Sequence, residues 1–282
     1  MAPMLKALLD PVHHFLAFRQ LVALLSRHRD LTWEMTKREL SERYAGQVIG
    51  ILWVVGHPLL LMAIYVMVFG YIFQARIGNT EAMPRDYPTF LLSGMIAWLT
   101  FQDVMNKGTG VILSNAGLVK QIVFPIEVLP VTSVITSCIT QFVATAVFIV
   151  YVLASHGSLS WTYLLLPILF IIQVLAMIGV CYILASIGVY FRDLREFVGV
   201  LNAAGLFLIP AIYIPGAVPQ ALEMFFYVNP FSYMVWCYQD AAYYGRFEHP
   251  WAWIVFPALS LGIFYTGYRI FRKLKSTFGN VL

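Results

Sequence analysis

Charge is missing from long stretches of this chain, and those stretches set its elements. No Asp, Glu, Lys or Arg occurs between Arg43 and Arg76, a run of 32 residues, or between Glu127 and Arg192, a run of 64. A helix needs about 20 apolar residues to cross the hydrocarbon core of a bilayer. The first run holds one span, at 48–73. The second holds two, at 126–154 and 162–190, divided by the His156-Gly157-Ser158 break. Further spans are predicted at 88–112, apolar first and polar in its second half, at 197–215, stopped by Pro215-Gly216, and at 251–271. Unpaired backbone groups are too costly in lipid for open structures, so each run is read as helix. The pattern predicts an all-α membrane protein with six transmembrane helices.

Two segments fit neither a span nor a simple loop. In 1–47, Phe15, Phe18, Val22 and Leu25 recur at helical spacing beside Arg19 and Arg27, the pattern of an amphipathic helix at a membrane surface. A second helix is predicted from Asp30 to Tyr44, with Glu34–Arg38 and Glu39–Arg43 as i,i+4 pairs and Trp33, Leu40 and Tyr44 on one face. The other segment, 216–247, is too polar to span yet dense in aromatic residues, and Pro219, Asn229-Pro230 and Gly245 punctuate it. It reads as two short re-entrant helices on the outer side, between spans five and six. Residues 1–47 are thus cytoplasmic interface helices, 48–271 the transmembrane domain and 272–282 a cytoplasmic tail.

Composition narrows the class. Hydrophobic residues make up 60% of the 282 residues and charged ones 11%, with a mean hydropathy of +0.77. Soluble domains carry about 25% charge. That excludes a soluble enzyme, a disordered chain and a nucleic-acid binder. The net charge of +4 matters less than its placement. Six spans put 15 Lys and Arg on the side of the termini and leave 3, Arg76, Arg85 and Arg246, on the other. The positive-inside rule then places both termini in the cytoplasm. Residues 1–47 carry seven Lys/Arg, five Asp/Glu and no long apolar core, unlike a cleavable signal peptide. Cys138, Cys181 and Cys237, odd in number and scattered, argue against a disulfide framework and a cysteine metal site.

The chemistry is mostly absent. No phosphate-binding G-x-x-x-x-G-K-[ST] loop occurs, nor any His/Asp/Glu cluster at metal-ligand spacing. Two ionisable residues fall within spans, where such groups mark function by default. His57 precedes Pro58, and it reads either as a functional group or as a neutral ring bonded to a carbonyl that Pro58 frees. Asp103 lies beside Gln102, Asn106 and Lys107, and it reads either as a wet pore entrance or as a headgroup-level residue. Gly46 and Gly50 form a GxxxG at the mouth of span one, a weak pattern alone. Tyr65, Phe69, Trp98, Phe101, Phe207 and Tyr213 lie in spans one, two and five, as packing or as ring faces for sugars.

Several motifs resemble one family in order along the chain. Glu39 to Tyr44, then Gly50-Ile51-Leu52-Trp53 and His57-Pro58-Leu59, resemble the opening of polysaccharide-exporting ABC permeases. Asn115, Leu118-Val119-Lys120, Phe124-Pro125 and Leu129-Pro130 are similar to that family's loop between spans two and three. Tyr190-Phe191-Arg192-Asp193 and Asn229-Pro230 match two later motifs, while His57 stands where Gln is commoner. The resemblance implies a homodimer of six-span subunits enclosing a channel in the bacterial cytoplasmic membrane. It implies two copies of a separate ATPase subunit, which bind the ATP and Mg, since this chain holds no cofactor and is no enzyme. The substrate it implies is a lipid-linked polysaccharide: O antigen foremost, or capsule or wall teichoic acid. Coupling to the ATPase is then assigned to Asn115, Leu118, Lys120, Gln121 and Phe124, with Arg38 beside them. The channel is assigned to Tyr65, Phe69, Trp98, Phe101, Phe207 and Tyr213, and its exit to Tyr227, Phe231, Tyr233 and Trp236. A drug or small-lipid exporter of the same class and a membrane-embedded glycan-modifying enzyme are the alternatives.

Overall fold

A computed structural model describes residues 11–68, 83–120, 124–214 and 218–282, and their regular structure is all helical. Phe69, Gln121 and Arg76, like the expected break at Pro215-Gly216, lie outside the described residues, as does the side chain of Phe15. The helices run α1 Pro11–Arg27, α2 Arg29–Arg43, α3 Trp53–Tyr65, α4 Tyr87–Gly108 and the short α5 Val111–Ser114 and α6 Ala116–Val119. Then follow α7 Val128–His156, α8 Leu166–Gly188, α9 Leu194–Gly205, α10 Gln220–Val228, α11 Pro230–Gln239 and α12 Ala252–Val281.

Among the described residues, four helical runs are long and apolar enough to cross a membrane: Gly50–Val68, Val128–His156, Trp161–Gly188 and Ala252–Gly279. They coincide with predicted spans one, three, four and six. The break after span three is where it was expected, because Gly157 ends α7 in the left-handed region at φ 69°. The predicted second span falls on α4, whose 22 residues reach about 33 Å. Its polar second half lowers its hydropathy, and it is buried among α7, α8 and α11 within the protomer.

The fifth span differs from expectation. The 12 residues of α9 rise only about 18 Å, against about 30 Å of hydrocarbon. A 3-10 turn at Leu206–Leu208 follows, and then Ile209 is extended, at φ −116° and ψ 153°. Pro210 is the cause: its ring crowds the preceding residue out of the helical region. Span six also outruns its expected end, since α12 continues as one helix through the supposed tail to Val281.

Helix packing depends on glycine at one contact above all. In α8 and α12 a Cβ built on Gly267 would lie 2.1 Å from the carbonyl oxygen of Gly179, and one on Gly179 would lie 2.6 Å from the backbone of Ile263. Only hydrogen at both positions lets the two backbones touch. Asp86 stands just before α4 and accepts from the Thr89 hydroxyl at 2.5 Å and from Tyr151 at 2.7 Å, while His156 sits 2.6 Å away. The start of α4 is thereby fastened to the end of α7. The segment expected to be re-entrant holds two short helices, α10 and α11; Asn229 caps α11 by accepting from the Phe231 amide at 3.1 Å, and Pro230 opens it.

The N-terminal helices also depart from their predicted pairing. α2 covers the expected residues, but Glu34 pairs with Lys37 and Arg38 with Glu42. Glu39 and Arg43 instead point at the bundle. Thr32 and Thr36 are buried and Trp33 is exposed, so the packed face is offset from the aromatic one. α1 lies on α12, with Phe18 edge-on to Phe264 and Arg272 donating to Gln20 at 2.6 Å.

Candidate transport path and coupling surface

A cleft of about 230 Å³ opens between α3, α4 and α7. The α4 residues on it, Leu92, Met95, Leu99, Gln102, Asp103 and Asn106, recur every three or four positions and so form one helix face. Its lining is largely apolar, and Arg43 and His57 also border it. A charged network adjoins it. Asp103 takes Arg43 at 3.2 Å, Lys107 at 3.1 Å and the Ser137 hydroxyl at 2.6 Å. Lys107 also reaches Glu39 at 3.3 Å, and Ser133 donates to Glu39 at 3.1 Å. Six side chains thus tie the interface helix α2 to α4 and α7. Two cations and two acids alternate, so the cluster is neutral and each charge keeps a partner. Beside it, Gln102 donates to the Asn202 carbonyl at 2.5 Å and Asn202 to Asn106 at 2.7 Å, which joins α4 to α9.

The expected channel aromatics separate into two groups. Tyr65 lines the cleft, and Phe207 is 60% exposed. Tyr213 donates to the Phe207 carbonyl at 3.0 Å and lies beside Phe226. Trp98 and Phe101 are each 2% exposed, and both meet Phe231 edge-on at 5.0 Å. Their side of α4 is packed inward because Gly205 leaves a notch: a Cβ there would lie 2.2 Å from the Trp98 ring. In this conformation Trp98, Phe101 and Phe231 fill the protomer core rather than present ring faces. The cleft-lining residues of α4, Leu99 and Gln102 among them, lie on another part of the helix surface. Spacing alone pairs Trp98 with Phe101 correctly but does not say which way that face turns.

The other residues expected at the exit lie close together. Tyr227, Tyr233, Trp236 and Trp251 lie with ring centroids 5.2–5.6 Å apart. Buried Asp240 organises the turn that follows, accepting from the His249 amide and from Trp253 Nε1, both at 3.0 Å. On the opposite face of the bundle, Arg38, Asn115, Arg192 and Arg195 border a single polar groove of about 690 Å³. Leu118 is half-buried, Phe124 packs on the core, and exposed Lys120 reaches the Leu282 main-chain oxygen at 3.0 Å. Nearby, buried Glu127 is paired with Lys275 of α12. Among the described residues, no group of three His, Cys, Asp or Glu is placed to hold a metal.

The network, the cleft and all of the aromatic cluster but Trp251 lie within residues 30–243, and that stretch matches the ABC-2 type transporter family. The chain belongs to the ABC-2 type transporter family. With four helices apolar enough to cross a bilayer, this family member is a multi-pass membrane protein. It is 30% identical over 258 residues to the O-antigen export system permease protein RfbA of Klebsiella pneumoniae, covering 90% of this chain and 95% of that one. It is 28% identical over 262 residues to the protein of the same name from Myxococcus xanthus, covering 92% and 98%. It is 23% identical over 210 residues to the polysialic acid transport protein KpsM of Escherichia coli, covering 74% and 79%. The ABC-2 match starts at the first turn of α2 and stops before α12, so the charged contact of α2 with α4 and α7 belongs to the shared segment.

Proposed function

We propose that this chain is the permease subunit of an ATP-driven exporter that carries a lipid-linked polysaccharide, O antigen foremost, across the bacterial cytoplasmic membrane. The observation that carries this reading is the near full-length likeness to two permeases named for O-antigen export in different organisms. Both termini face the cytoplasm in this reading, which the split of 15 and 3 cationic residues over six spans supports. Two copies enclose the channel, and a separate ATPase supplies the ATP and Mg chemistry that this chain has no loop to hold.

A polysaccharide must slide, so each sugar needs weak, repeated contacts. Ring faces tolerate translation better than directional hydrogen bonds do. Tyr65 and exposed Phe207 offer such faces, and the cluster of Tyr227, Tyr233 and Trp236 stands at the exit. The groove bordered by Arg38 and Asn115 takes the ATPase. The adjoining network of Glu39, Arg43, Asp103 and Lys107 then transmits its movement to α4, which borders the cleft.

Orientation is tested by cysteines introduced at Ser158 and Ser276 and an impermeant thiol reagent on spheroplasts. Labelling of Ser158→Cys alone is expected; labelling of Ser276→Cys alone reverses the topology. The partner is tested by co-expression and co-purification with a candidate ABC ATPase subunit from the same organism. A permease that hydrolyses ATP by itself, or binds no such subunit, overturns the reading. Export of a drug in place of glycan would favour the small-substrate alternative.

A further inference from the structure

Beyond α9 the chain from Ile209 to Ile214 is not helical, yet side chains take up its carbonyls. The Leu208 carbonyl accepts from Asn229 at 2.6 Å, that of Pro210 from Gln239 at 3.1 Å and that of Ile212 from the Tyr87 hydroxyl at 2.5 Å. Non-helical backbone within a membrane protein is tolerated where protein covers it or where it lines a cavity. Here it walls a cavity of about 110 Å³, bounded further by α4, α10 and α11. Tyr213, Phe226, Tyr227 and Trp236 give that cavity aromatic sides.

Two bordering residues bring polar atoms that the protein does not use. Gln239 is 1% and Tyr244 9% exposed. Gln239 spends Nε2 on Pro210; among the described residues nothing donates to its Oε1, and nothing bonds the Tyr244 hydroxyl. Tyr244 ends the π-helical turn Asp240–Tyr244 that follows Gln239, an irregularity common at functional sites. A buried acceptor and a buried hydroxyl are satisfied by water or by the hydroxyls of a ligand. Water gains nothing from aromatic sides. A pyranose, with C–H on its faces and hydroxyls around its edge, uses both. Charge narrows the class. The Glu223 carboxylate borders the cavity, as does His249. His249 is paired with buried Asp240 at 2.9 Å, so whatever proton it holds, the pair brings no net positive charge. The wall therefore offers no cation to a sugar acid.

We infer that this cavity holds one neutral pyranose unit of the glycan as it leaves, hydrogen-bonded to Gln239 and Tyr244 beside the rings of Tyr227 and Trp236, and that Glu223 turns sugar acids away. Ring faces alone would pass neutral and acidic sugars alike; Glu223 makes the exit discriminate. The inference deepens the export reading and rests on it for the source of the sugar.

The test is saturation-transfer NMR from the protein's aromatic protons to free methyl glycosides, with the full chain in phospholipid nanodiscs so that no sugar-headed detergent competes. The probes are the methyl glucoside, mannoside and galactoside, each set against its own uronic acid. At least one neutral glycoside is expected to bind, and its acid about fivefold more weakly, the worth of one charge repulsion near water. Tyr244→Phe deletes a hydroxyl that no protein group uses, so the fold is kept and neutral binding is expected to fall about threefold; Gln239→Leu is expected to lower it about fivefold. If Gln239→Leu also lowers the unfolding temperature through its lost bond to Pro210, Tyr244→Phe decides alone. Glu223→Gln is expected to bring the acid level with its neutral partner. No binding of any neutral glycoside, binding unchanged in Tyr244→Phe, or acids bound by the parent as well as neutral sugars overturns the inference. Surface glycan measured with and without the chain reports on export separately: glycan lost without the chain, when the chain binds no sugar, overturns the pocket and leaves the export reading standing.

Discussion

Replacing Gly267 by Ala should loosen the α8–α12 pair, and the structure gives the size of the effect. The new Cβ would lie 2.1 Å from the Gly179 carbonyl oxygen and 2.8 Å from its carbon. A carbon rests at about 3.3 Å or more from a carbonyl oxygen, so the helices must part by about 1 Å. Neither atom can rotate away, because both belong to helix backbones. A gap of that size forfeits about a quarter to a half of the dispersion energy of each contact across it. Overpacking of this kind costs about 1–3 kcal/mol. The better helix propensity of Ala returns at most about 1 kcal/mol. Gly262→Ala is the control, since that residue shares α12 and has no atom within 4 Å of its added Cβ. It is expected to be neutral or slightly stabilising. Thermal unfolding of the detergent-solubilised protein reads both variants. Equal stability of Gly267→Ala and the parent, or an equal loss in Gly262→Ala, refutes the close-packing argument.

Trp98→Ala should cost about 3–5 kcal/mol and reduce protein level in the membrane, whereas exposed Phe207→Ala should keep the level and reduce export; immunoblots set against surface glycan check both. Lys275→Met leaves buried Glu127 without its cation and should cost about 3–5 kcal/mol by thermal unfolding, with much of the loss recovered when Glu127→Gln is added. Asp103→Asn, a site a quarter exposed, should cost about 1–3 kcal/mol and uncouple ATP turnover from transport more than it lowers assembly; coupled turnover at the parental rate contradicts the network's role.

The sequence carried the membrane spans well where charge was absent, because lipid punishes charge at every position of a crossing helix. Spans one, three, four and six follow from that alone. The fifth was overextended because Ile209-Pro210 was read as part of an apolar run, although a proline there predicts the break that the structure has. The charge pairs of α2 were misassigned for a different reason. Local spacing matches Glu39 with Arg43, but their partners Lys107 and Asp103 lie far along the chain, and only the tertiary fold sets them opposite each other. The i,i+4 relation of Asp103 and Lys107 was visible in their spacing; its extension to α2 was not. Trp98 and Phe101, three positions apart, share a helix face, yet the notch at Gly205 that turns that face inward cannot be read without the fold.

The central claim is that this chain delivers glycan to the cell surface. The direct measurement is surface glycan against intracellular lipid-linked glycan in a strain that lacks the chain and in the same strain with it restored. Loss of surface glycan with accumulation of the full-length lipid-linked form inside, both reversed by the restored chain, is the predicted result. Normal surface glycan without the chain, or its loss with no intracellular accumulation, would contradict the account.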